Sequence, residues 1–587
     1  MPSEKMEIVL AENAGFCMGV RRALNLTLEA ANDPQNPRPI ATHGPLIHNR
    51  QVLKVLEEKG VKILDGKAQK AGTVVIRAHG ISPGEKEKLK ERAEKVIDAT
   101  CPRVRNVQKI AAKYSDQGYQ CVIVGDRGHA EVEGVLSYTG DSGFVVSDPN
   151  QVENLPELER VVVVAQTTQD EQLFERTVER MNARYDDCLV FNTICRATHR
   201  RQSEAKELAG LVDSMIVVGG YNSANTCRLA QICAATGATT YHVETDEELP
   251  IEKLLFCQRI GITAGASTPN WMIRRVIQRI KTADERRRRS FRYLLREILA
   301  IPVWTNLLVG GGASAVTFMN ARLMKLPKQS TGVCMALAFF FVLSQHLFNQ
   351  YARGDTVHRY LSEPGRGLFF RANSRTLVAF GAASGALALF LSILLGWAAF
   401  AVVLLGTAGG LLYCLPAGSR PYAFLGLRAL QRFPGSKEVF VGLAWAFTTA
   451  LVPVLAVRAM PLGWPGLAVA GVFTFTLAFQ RALLTDLRDV EGDQLVGRET
   501  LGVVLGERSC RILLSAIPPF QALLLFAAGI LNWTPPVAYV MLFVAAYGGL
   551  SFQLFRRGKL PRAELGEALI DTKFYLCGLL AFLHPVW

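Results

Sequence analysis

The stretch "IVLAENAGFCMGVRRA", residues 8–23, sets the pattern on which the first half of the chain is built. An apolar run typical of a strand comes first, and Cys17 then opens a predicted helix. Two later stretches repeat this arrangement: "VIDATCPRVRNV", residues 96–107, around Cys101, and "VFNTICRATHRRQ", residues 190–202, around Cys195. The repeat predicts an α/β fold of three similar units, each of which delivers one cysteine to a common centre.

Three cysteines in this setting predict a centre that binds a metal or a cluster. A helix N-terminus lowers the pKa of a thiol and favours the thiolate, which is the form that ligates metals. Three soft ligands from three units suggest a metal ion or an iron–sulfur cluster. Because such sites normally have four ligands, three would leave one position open for catalysis. The pattern alone also fits three buried, inert cysteines.

Polar side chains follow several other predicted strands, each after a Gly-containing turn and at the start of a helix. Helix starts are ready anion sites, and in doubly wound folds ligands bind at the carboxyl ends of strands. A single histidine in such a loop is more often an ordinary surface or core residue, whereas several together predict a phosphorylated ligand. The residues concerned are His43, His48, His79, His129, Glu131, Asn222, Ser223, Asn225 and Ser267.

From about residue 298 the 587-residue chain changes character. Apolar blocks of about 17–22 residues alternate with short basic or Pro/Gly breaks, and each block is long enough to cross a bilayer as a helix. We therefore expect an all-α C-terminal half with about nine transmembrane helices. The predicted domains are residues 6–282, a basic juxtamembrane linker at 283–297, and a membrane domain at 298–587. No signal peptide is predicted, because the opening residues lack a long enough apolar segment.

The formal net charge of +14 could indicate nucleic-acid binding, but its distribution favours a membrane. Arg286 to Arg289 and Arg292 lie directly before the first apolar block, where they fit a positive-inside anchor at an anionic leaflet. Lys and Arg also recur in alternate loops of the second half. This bias predicts a multi-pass protein of the cell membrane with its first half in the cytoplasm. We expect the lipid bilayer as a partner and no nucleic acid, since no recognition module accompanies the charge.

A row of carboxylates follows the sixth apolar block, in "LLTDLRDVEGDQLVGRETLG", residues 483–502. Asp486, Asp489 and Asp493 are three and four residues apart, which places them on one face of a helix. Clustered carboxylates repel one another unless a cation neutralises them, and hard oxygen ligands suit Mg²⁺. The segment thus predicts a Mg²⁺ site that would accept a diphosphate. A solvated, acidic helix end is the alternative.

Residues 6–282 closely resemble the LytB family of 4-hydroxy-3-methylbut-2-enyl diphosphate reductases. The motifs "GFCMGV", "HNR", "AHG", "DATCP", "GHAEVEG", "QTT", "NSAN" and "TAGAS" occur in the order and spacing of that family. The resemblance implies three α/β units around a [4Fe–4S] cluster ligated by Cys17, Cys101 and Cys195. It implies proton delivery by Glu131, with Thr167 in the relay. It implies substrate contacts by His48, His79, His129, Thr167, Ser223, Asn225 and Ser267.

The reaction that this resemblance implies is the removal of an allylic hydroxyl group with two electrons and two protons. The products would be water and isopentenyl or dimethylallyl diphosphate, and the electrons would come from a donor such as ferredoxin or flavodoxin. Two positions depart from the family pattern. Ala224 replaces a usual serine in "NSAN", and Arg200 stands where asparagine is usual. Neither change removes a ligand or the acid, so we expect activity to survive.

Residues 298–587 show a second resemblance, to UbiA-type intramembrane prenyltransferases. "DLRDVEGDQLVGRETLGVVLG" resembles the second aspartate-rich motif of that family, and Tyr422 and Lys437 stand at expected places in the segment after helix 4. The family uses Mg²⁺ to join a prenyl diphosphate to an acceptor. In the first motif, "HLFNQYARGDTVHRY" keeps Asn349 and offers Asp355. It has Gln350 and Arg353 where acids are expected.

Three interpretations of the whole chain therefore stay open. The first is a reductase joined to a transferase that moves a prenyl group to an unknown acceptor. The second is a reductase with a non-catalytic membrane anchor. The third is a non-enzymatic iron–sulfur protein that passes electrons to the bilayer.

Overall fold

The structure is a computed structural model that describes residues 6–33, 35–64, 71–352, 364–414, 435–488, 490, 500–561 and 563–584. The chain divides into two compact units, Met1–Arg288 and Arg289–Trp587. The first unit is α/β and the second is all-helical, as the sequence predicts.

Three four-stranded sheets, parallel throughout, form the framework of the first unit. Their orders are β1-β12-β10-β11, β3-β2-β4-β5 and β7-β6-β8-β9. The strands are β1 (Glu7–Leu10), β2 (Ile40–His43), β3 (Val61–Leu64), β4 (Ala71–Ile76), β5 (Ala93–Asp98), β6 (Gln120–Val124), β7 (Gly143–Val146), β8 (Arg160–Ala165), β9 (Asp187–Phe191), β10 (Ser214–Val218), β11 (Thr239–Val243) and β12 (Arg259–Ala264). Central strands such as β8 are continuous apolar runs because both faces of a parallel sheet are covered by helices.

Helices connect these strands. They are α1 (Met18–Asn32), α2 (Arg50–Glu58), α3 (Pro83–Arg92), α4 (Pro102–Ser115), α5 (Ala130–Leu136), α6 (Glu171–Arg184), α7 (Arg196–Ala209), α8 (Ala224–Ala235), α9 (Ile251–Leu254) and α10 (Asn270–Arg287). Two 3₁₀ turns lie at Pro149–Asn154 and Asp246–Glu248. Helix α10 occupies the first residues of the predicted linker at 283–297.

Each of the three cysteines follows the strand at the edge of a different sheet. Cys17 follows β1, Cys101 follows β5 and Cys195 follows β9. Each is the N-cap of the next helix, α1, α4 and α7 respectively. The repeated unit predicted from the sequence is thus present, with the cysteine at the same place in each copy.

Helices alone make up the described part of the second unit. They are α11 (Phe291–Trp304), α12 (Leu307–Leu323), α13 (Thr331–Ala352), α14 (Pro364–Leu395), α15 (Trp397–Cys414), α16 (Ser436–Ala446), α17 (Val452–Val457), α18 (Gly463–Arg488), α19 (Leu501–Val504), α20 (Gly506–Ile530), α21 (Val537–Val540), α22 (Leu542–Arg556) and α23 (Ala563–Leu583). A 3₁₀ turn lies at Lys328–Ser330, and a π-helical turn at Phe447–Leu451 joins α16 to α17. The core is apolar, and the Trp445 and Phe574 rings stack with centroids 4.5 Å apart.

Six helices of the described residues are long and apolar enough to cross a membrane. They are Lys328–Ala352, Gly365–Leu395, Ser436–Val457, Gly463–Arg488, Gly506–Ile530 and Val537–Arg556. The number becomes seven if α11 and α12, which meet at an angle of 75°, count as one span.

The sequence predicts nine transmembrane helices. The length and composition of the described helices correct this number to six or seven. Helix α15 is short for a span. Helix α23 carries four charged residues, and neighbouring helices supply partners for three of them: Arg296 for Glu564, Arg366 for Glu567 and Arg481 for Asp571. An apolar-block count from sequence does not register charges that are paired inside the bundle.

Candidate active site

The three cysteines are held by one repeated backbone contact. The N–H groups of Cys17, Cys101 and Cys195 donate to the carbonyl oxygens of Ala266, Ala78 and Thr167, over 3.1, 2.9 and 2.9 Å. Each acceptor lies just past the strand that pairs with the cysteine's own strand. The sheets therefore fix the position of every thiol from its backbone.

All three thiols line one cavity of the first unit. Among the described residues, the only three His, Cys, Asp or Glu side chains whose ligand atoms all lie within 4.8 Å of one another are His48, His79 and His129. At least one pair of the three sulfurs is therefore more than 4.8 Å apart, which is too far for both to ligate a single tetrahedral zinc ion. Their donor type and wide spacing around a shared cavity fit an iron–sulfur cluster.

Gly19 lies beside two of these thiols. A Cβ at this position would lie 2.6 Å from Cys101 Sγ and 3.9 Å from Cys17 Sγ. Only a residue without a side chain lets α1 approach Cys101 this closely. The lack of room for a side chain beside the thiols therefore explains the second glycine of "GFCMGV".

Burial corrects one expectation for the thiols. It raises the pKa of Cys101 above the ordinary thiol value, against the lowering effect of the Arg103 and Val104 N–H groups. The helix N-terminus alone was expected to lower this pKa. A buried thiolate needs compensating positive charge, which a metal cluster would supply.

Arg201 lies beside the thiols and was not identified from the sequence. Its guanidinium donates to the carbonyl oxygens of Asn13 and Gly15, each over 2.8 Å, and the residue lines the same cavity as Cys17 and Cys195. It thereby ties α7 to the loop that carries Cys17. In "ATHRRQ" it is one of two adjacent arginines, and only the fold distinguishes buried Arg201 from exposed Arg200.

Three histidines cluster in the same cavity. The ring centroids of His48, His79 and His129 are 4.8 to 6.1 Å apart. Burial lowers the pKa of all three, that of His79 most, and the positive charge of Arg77 lowers them further. The rings are therefore neutral near pH 7 and can each donate one N–H group.

Hydrogen bonds in this cluster are left unfilled by the protein. His129 Nδ1 accepts the N–H of Glu131 over 3.1 Å, so the proton of this ring is on Nε2. His48 Nε2 and His79 Nδ1 are buried without a protein partner. Because buried polar atoms are normally hydrogen-bonded, these atoms point to a polar ligand.

Three further predicted residues complete this wall of the cavity. Ser223, Asn225 and Ser267 are all buried. Both polar atoms of the Asn225 amide lack a protein partner, and Ser267 Oγ donates weakly to the His48 carbonyl oxygen over 3.3 Å. Ala224 also lines the cavity, so the missing serine hydroxyl would have faced the ligand.

Glu131 and Thr167 form a buried pair. The Thr167 N–H donates to Glu131 Oε1 over 2.6 Å, and its hydroxyl donates to Oε2 over 2.8 Å. Burial raises the pKa of Glu131 to about 7, although both hydrogen bonds favour the charged form. A carboxyl group that titrates near neutral pH can act as a general acid.

The cavity thus gathers all the side chains that the LytB resemblance assigns to the site: Cys17, His48, His79, Cys101, His129, Glu131, Thr167, Cys195, Ser223, Asn225 and Ser267. His43 and Asn222 were grouped with them from their loops but do not line it. His43 lies 4.0 Å from Glu85 instead. The gathering supports a shared site, while the role of each residue stays a prediction.

The predicted site of the second unit is described only in part. Asp489, Asp493, Asp355, Arg353 and Tyr422 lie outside the described residues. Asp486 is buried near the end of α18 and pairs with Lys437. Glu438 is fully buried beside them, and its Oε1 accepts the Leu501 N–H over 3.0 Å. Asn349 is half-buried on α13.

Comparison with known proteins links each half to a different family. The profile of the LytB protein family matches residues 8–281, and that of the UbiA prenyltransferase family matches residues 313–565. The 4-hydroxy-3-methylbut-2-enyl diphosphate reductase of Citrifermentans bemidjiense is 45% identical over 282 residues, which are 48% of this chain and 99% of that protein. That of Geobacter sulfurreducens is 45% identical over 284 residues, 48% of this chain and 100% of that protein.

A solved structure of (E)-4-hydroxy-3-methyl-but-2-enyl diphosphate reductase is also similar, with 42% identity and a TM-score of 0.39. It covers 47% of this chain and 99% of its own. The reductases of Citrifermentans bemidjiense and Geobacter sulfurreducens match the first half of the chain over 99% and 100% of their length, so the second half is an addition to them. The chain belongs to the 4-hydroxy-3-methylbut-2-enyl diphosphate reductase family of LytB proteins, with a UbiA prenyltransferase-family domain fused behind the reductase domain.

Proposed function

We propose that the first unit reduces (E)-4-hydroxy-3-methylbut-2-enyl diphosphate to isopentenyl diphosphate and dimethylallyl diphosphate, the last step of the methylerythritol phosphate route to isoprenoids. Two electrons and two protons replace the C–O bond of the allylic alcohol by a C–H bond and release water. The observation that carries this proposal is the single cavity in which three thiols, three neutral histidines and a carboxyl group of pKa about 7 meet.

Cys17, Cys101 and Cys195 would hold a [4Fe–4S] cluster. When bound, the cluster would supply the electrons and an electrophilic iron with an open position. Arg201 would hold the Cys17 loop against α7 and offset the negative charge of the thiolates. Three protein ligands from three sheets would leave one iron of the cluster without a protein ligand.

The diphosphate would be bound by the wall of histidine and amide donors. His48, His79 and His129 each offer one N–H group, and Asn225 offers an amide whose hydrogen bonds are unfilled within the protein. Buried donors that are already in place bind an anion without reorganisation, and they fix its orientation. The allylic alcohol at the other end of the substrate would thereby point toward the cysteines.

Glu131 would provide the proton that lets the hydroxyl group leave as water. Hydroxide is a poor leaving group, so protonation during C–O cleavage lowers the barrier. Thr167 holds the carboxyl group through both of its oxygens and lies in the same cavity, where its hydroxyl can carry the proton onward. Ala224 and Arg200, the two departures from the family, leave this pair intact.

For the second unit we propose transfer of a prenyl group from a prenyl diphosphate to an acceptor in the membrane. Asp486, Asp489 and Asp493, with Asn349 and Asp355, would bind Mg²⁺ and the diphosphate. Since chain elongation lies between the two reactions, direct transfer of product is not expected, and the fusion would serve pathway co-localisation. The alternative is a non-catalytic anchor. It is favoured by the ion pair that already occupies Asp486 and by the loss of acids at Gln350 and Arg353.

We further propose the domain boundaries and orientation predicted above, with residues 6–282 as a cytoplasmic reductase domain and 298–587 as a multi-pass domain of the cell membrane. The basic residues Arg286 to Arg289 support this orientation, since Lys and Arg concentrate on the cytoplasmic side. Cysteine accessibility in intact cells, with a reagent that does not cross the membrane, tests it.

Anaerobic purification of the full chain tests the reductase. Iron and sulfide are counted per chain, and substrate turnover is measured with dithionite-reduced methyl viologen. Four irons and four sulfides with turnover are expected for a [4Fe–4S] centre, and Cys101→Ser should lose both. A cluster without turnover would instead favour the electron-transfer interpretation. For the membrane domain, Asp486→Asn should abolish prenyl transfer by membranes.

A further inference from the structure

The cysteines lie close to an exposed, basic surface of the first unit. The residue after Cys17 is Met18, which is 61% exposed, and Arg196 after Cys195 is exposed as well. Arg103 is exposed and also lines the cavity, so it stands at the mouth. The three helices therefore begin at the surface, directly beside the thiols.

Further arginines extend this surface along the same helices. Arg21 lies one turn beyond Met18 on α1, and Arg200 lies one turn beyond Arg196 on α7. Both are exposed. In the described part of the chain no carboxylate forms an ion pair with Arg21, Arg103, Arg196 or Arg200. We call Met18 and these four arginines the basic rim.

We propose that the basic rim is the docking surface for an acidic one-electron carrier protein that reduces the centre held by the three cysteines. The proposal rests on the proposed reductase function. Two reduced carriers would dock in turn, and each would leave oxidised after giving up one electron. With two protons, the two electrons convert the C–O bond of one substrate molecule into a C–H bond and water.

Charge and position together favour this occupant. Four positive side chains, without an ion-pair partner among the described residues, lie on the first turns of three helices that begin at one cavity. Such a surface attracts an acidic protein over a distance and lets it leave after transfer, because such encounters are small and steered by charge. Arg22 links α1 to the Cys101 loop through the carbonyl oxygens of Thr100 and Asp98, over 3.2 and 3.4 Å. The rim is therefore built on a fixed part of the fold.

Charge reversal at the rim tests the proposal in the full chain, purified anaerobically in detergent. The variant is Arg21→Glu with Arg196→Glu, and the probe is reduced flavodoxin. Lys113→Glu with Lys206→Glu is the matched control, since these exposed lysines lie on α4 and α7 about 15 Å further from the cysteines at 1.5 Å per residue. Methyl viologen, a small donor, measures the reductase without protein docking.

The rim variant should lose about tenfold or more in flavodoxin-driven kcat/KM at low ionic strength, since rim charges act mainly on association. Its viologen-driven rate and the flavodoxin-driven rate of the control should stay within twofold of wild type. Added salt should slow flavodoxin but not viologen in the wild type. An unchanged flavodoxin rate, an equal loss in the control, or an equal loss with viologen overturns the docking surface. A wild type inactive with viologen overturns the proposed function itself.

Discussion

Gly19→Ala is a small change that should separate folding from assembly of the reductase centre. The added Cβ would lie 2.6 Å from Cys101 Sγ, whereas ordinary contacts begin near 3.4 Å, so the sulfur or α1 must move by about 1 Å. Overpacking of this kind costs about 1–3 kcal/mol. The higher helix propensity of alanine offsets about 1 kcal/mol of this cost relative to glycine. The free energy of unfolding should therefore fall by no more than about 2 kcal/mol.

The same displacement is large for the chemistry. A shift of about 1 Å at a reacting centre can cost about 100-fold in rate. We expect the variant to fold, to retain less iron and sulfide than wild type, and to turn over about 100-fold more slowly. Thermal unfolding, iron and sulfide counting and viologen-driven turnover measure the three effects.

Gly84→Ala is the matched control, because a Cβ on this helical glycine meets no atom within 4 Å. It should match or exceed wild type in stability and keep full cluster content and turnover. The reasoning is refuted if Gly19→Ala keeps its full complement of iron and turns over within twofold of wild type. The contact between Gly19 and Cys101 would then not limit the position of the thiols.

Three further predictions concern single charges. Glu131→Gln should lower kcat about 10²–10⁴-fold. Wild-type kcat should be highest on the acid side and fall as pH rises through about 7, because the raised pKa marks the loss of the acid's proton; a wild-type profile flat across pH 7 contradicts this. Arg201→Lys should keep the fold but weaken cluster retention in a chelator challenge followed by absorbance, and retention equal to wild type contradicts it. Lys437→Gln should destabilise the second unit by about 3–5 kcal/mol through unpaired, buried Asp486. Adding Asp486→Asn should restore most of that thermal stability, and equal stability of single variant and wild type refutes the pairing.

The sequence predicted most of the first unit because its signals are local. Each cysteine lies between an apolar run and a helix start. That short pattern is enough to predict both the α/β unit and the cysteine that it contributes. Arg201 was missed because its importance comes from the carbonyl oxygens of Asn13 and Gly15, which lie nearly 190 residues earlier in the chain. The pKa of Cys101 was misjudged for a similar reason, since burial depends on the whole fold and outweighs the helix N-terminus.

In the second unit the apolar blocks predicted helices well and spans less well. The first block is not one straight helix, because the chain bends by 75° between α11 and α12 around Asn306, which has a left-handed backbone. The composition of the last block is mostly apolar, yet it contains Asp571 and Lys573, and both are buried. Charges that meet partners on other helices are invisible to a count along one segment.

The pairing of β1 with β12 determines when the Cys17 loop can reach its native position during translation. Glu7–Leu10 emerges from the ribosome some 250 residues before its partner Arg259–Ala264. Until then the Cys17 loop has no Ala266 carbonyl to hold it. Loading of the proposed cluster onto a complete ligand set would therefore wait until translation has reached the segment that precedes the first hydrophobic helices. Assembly of the proposed cluster and insertion of the first hydrophobic helices would thus fall in the same interval.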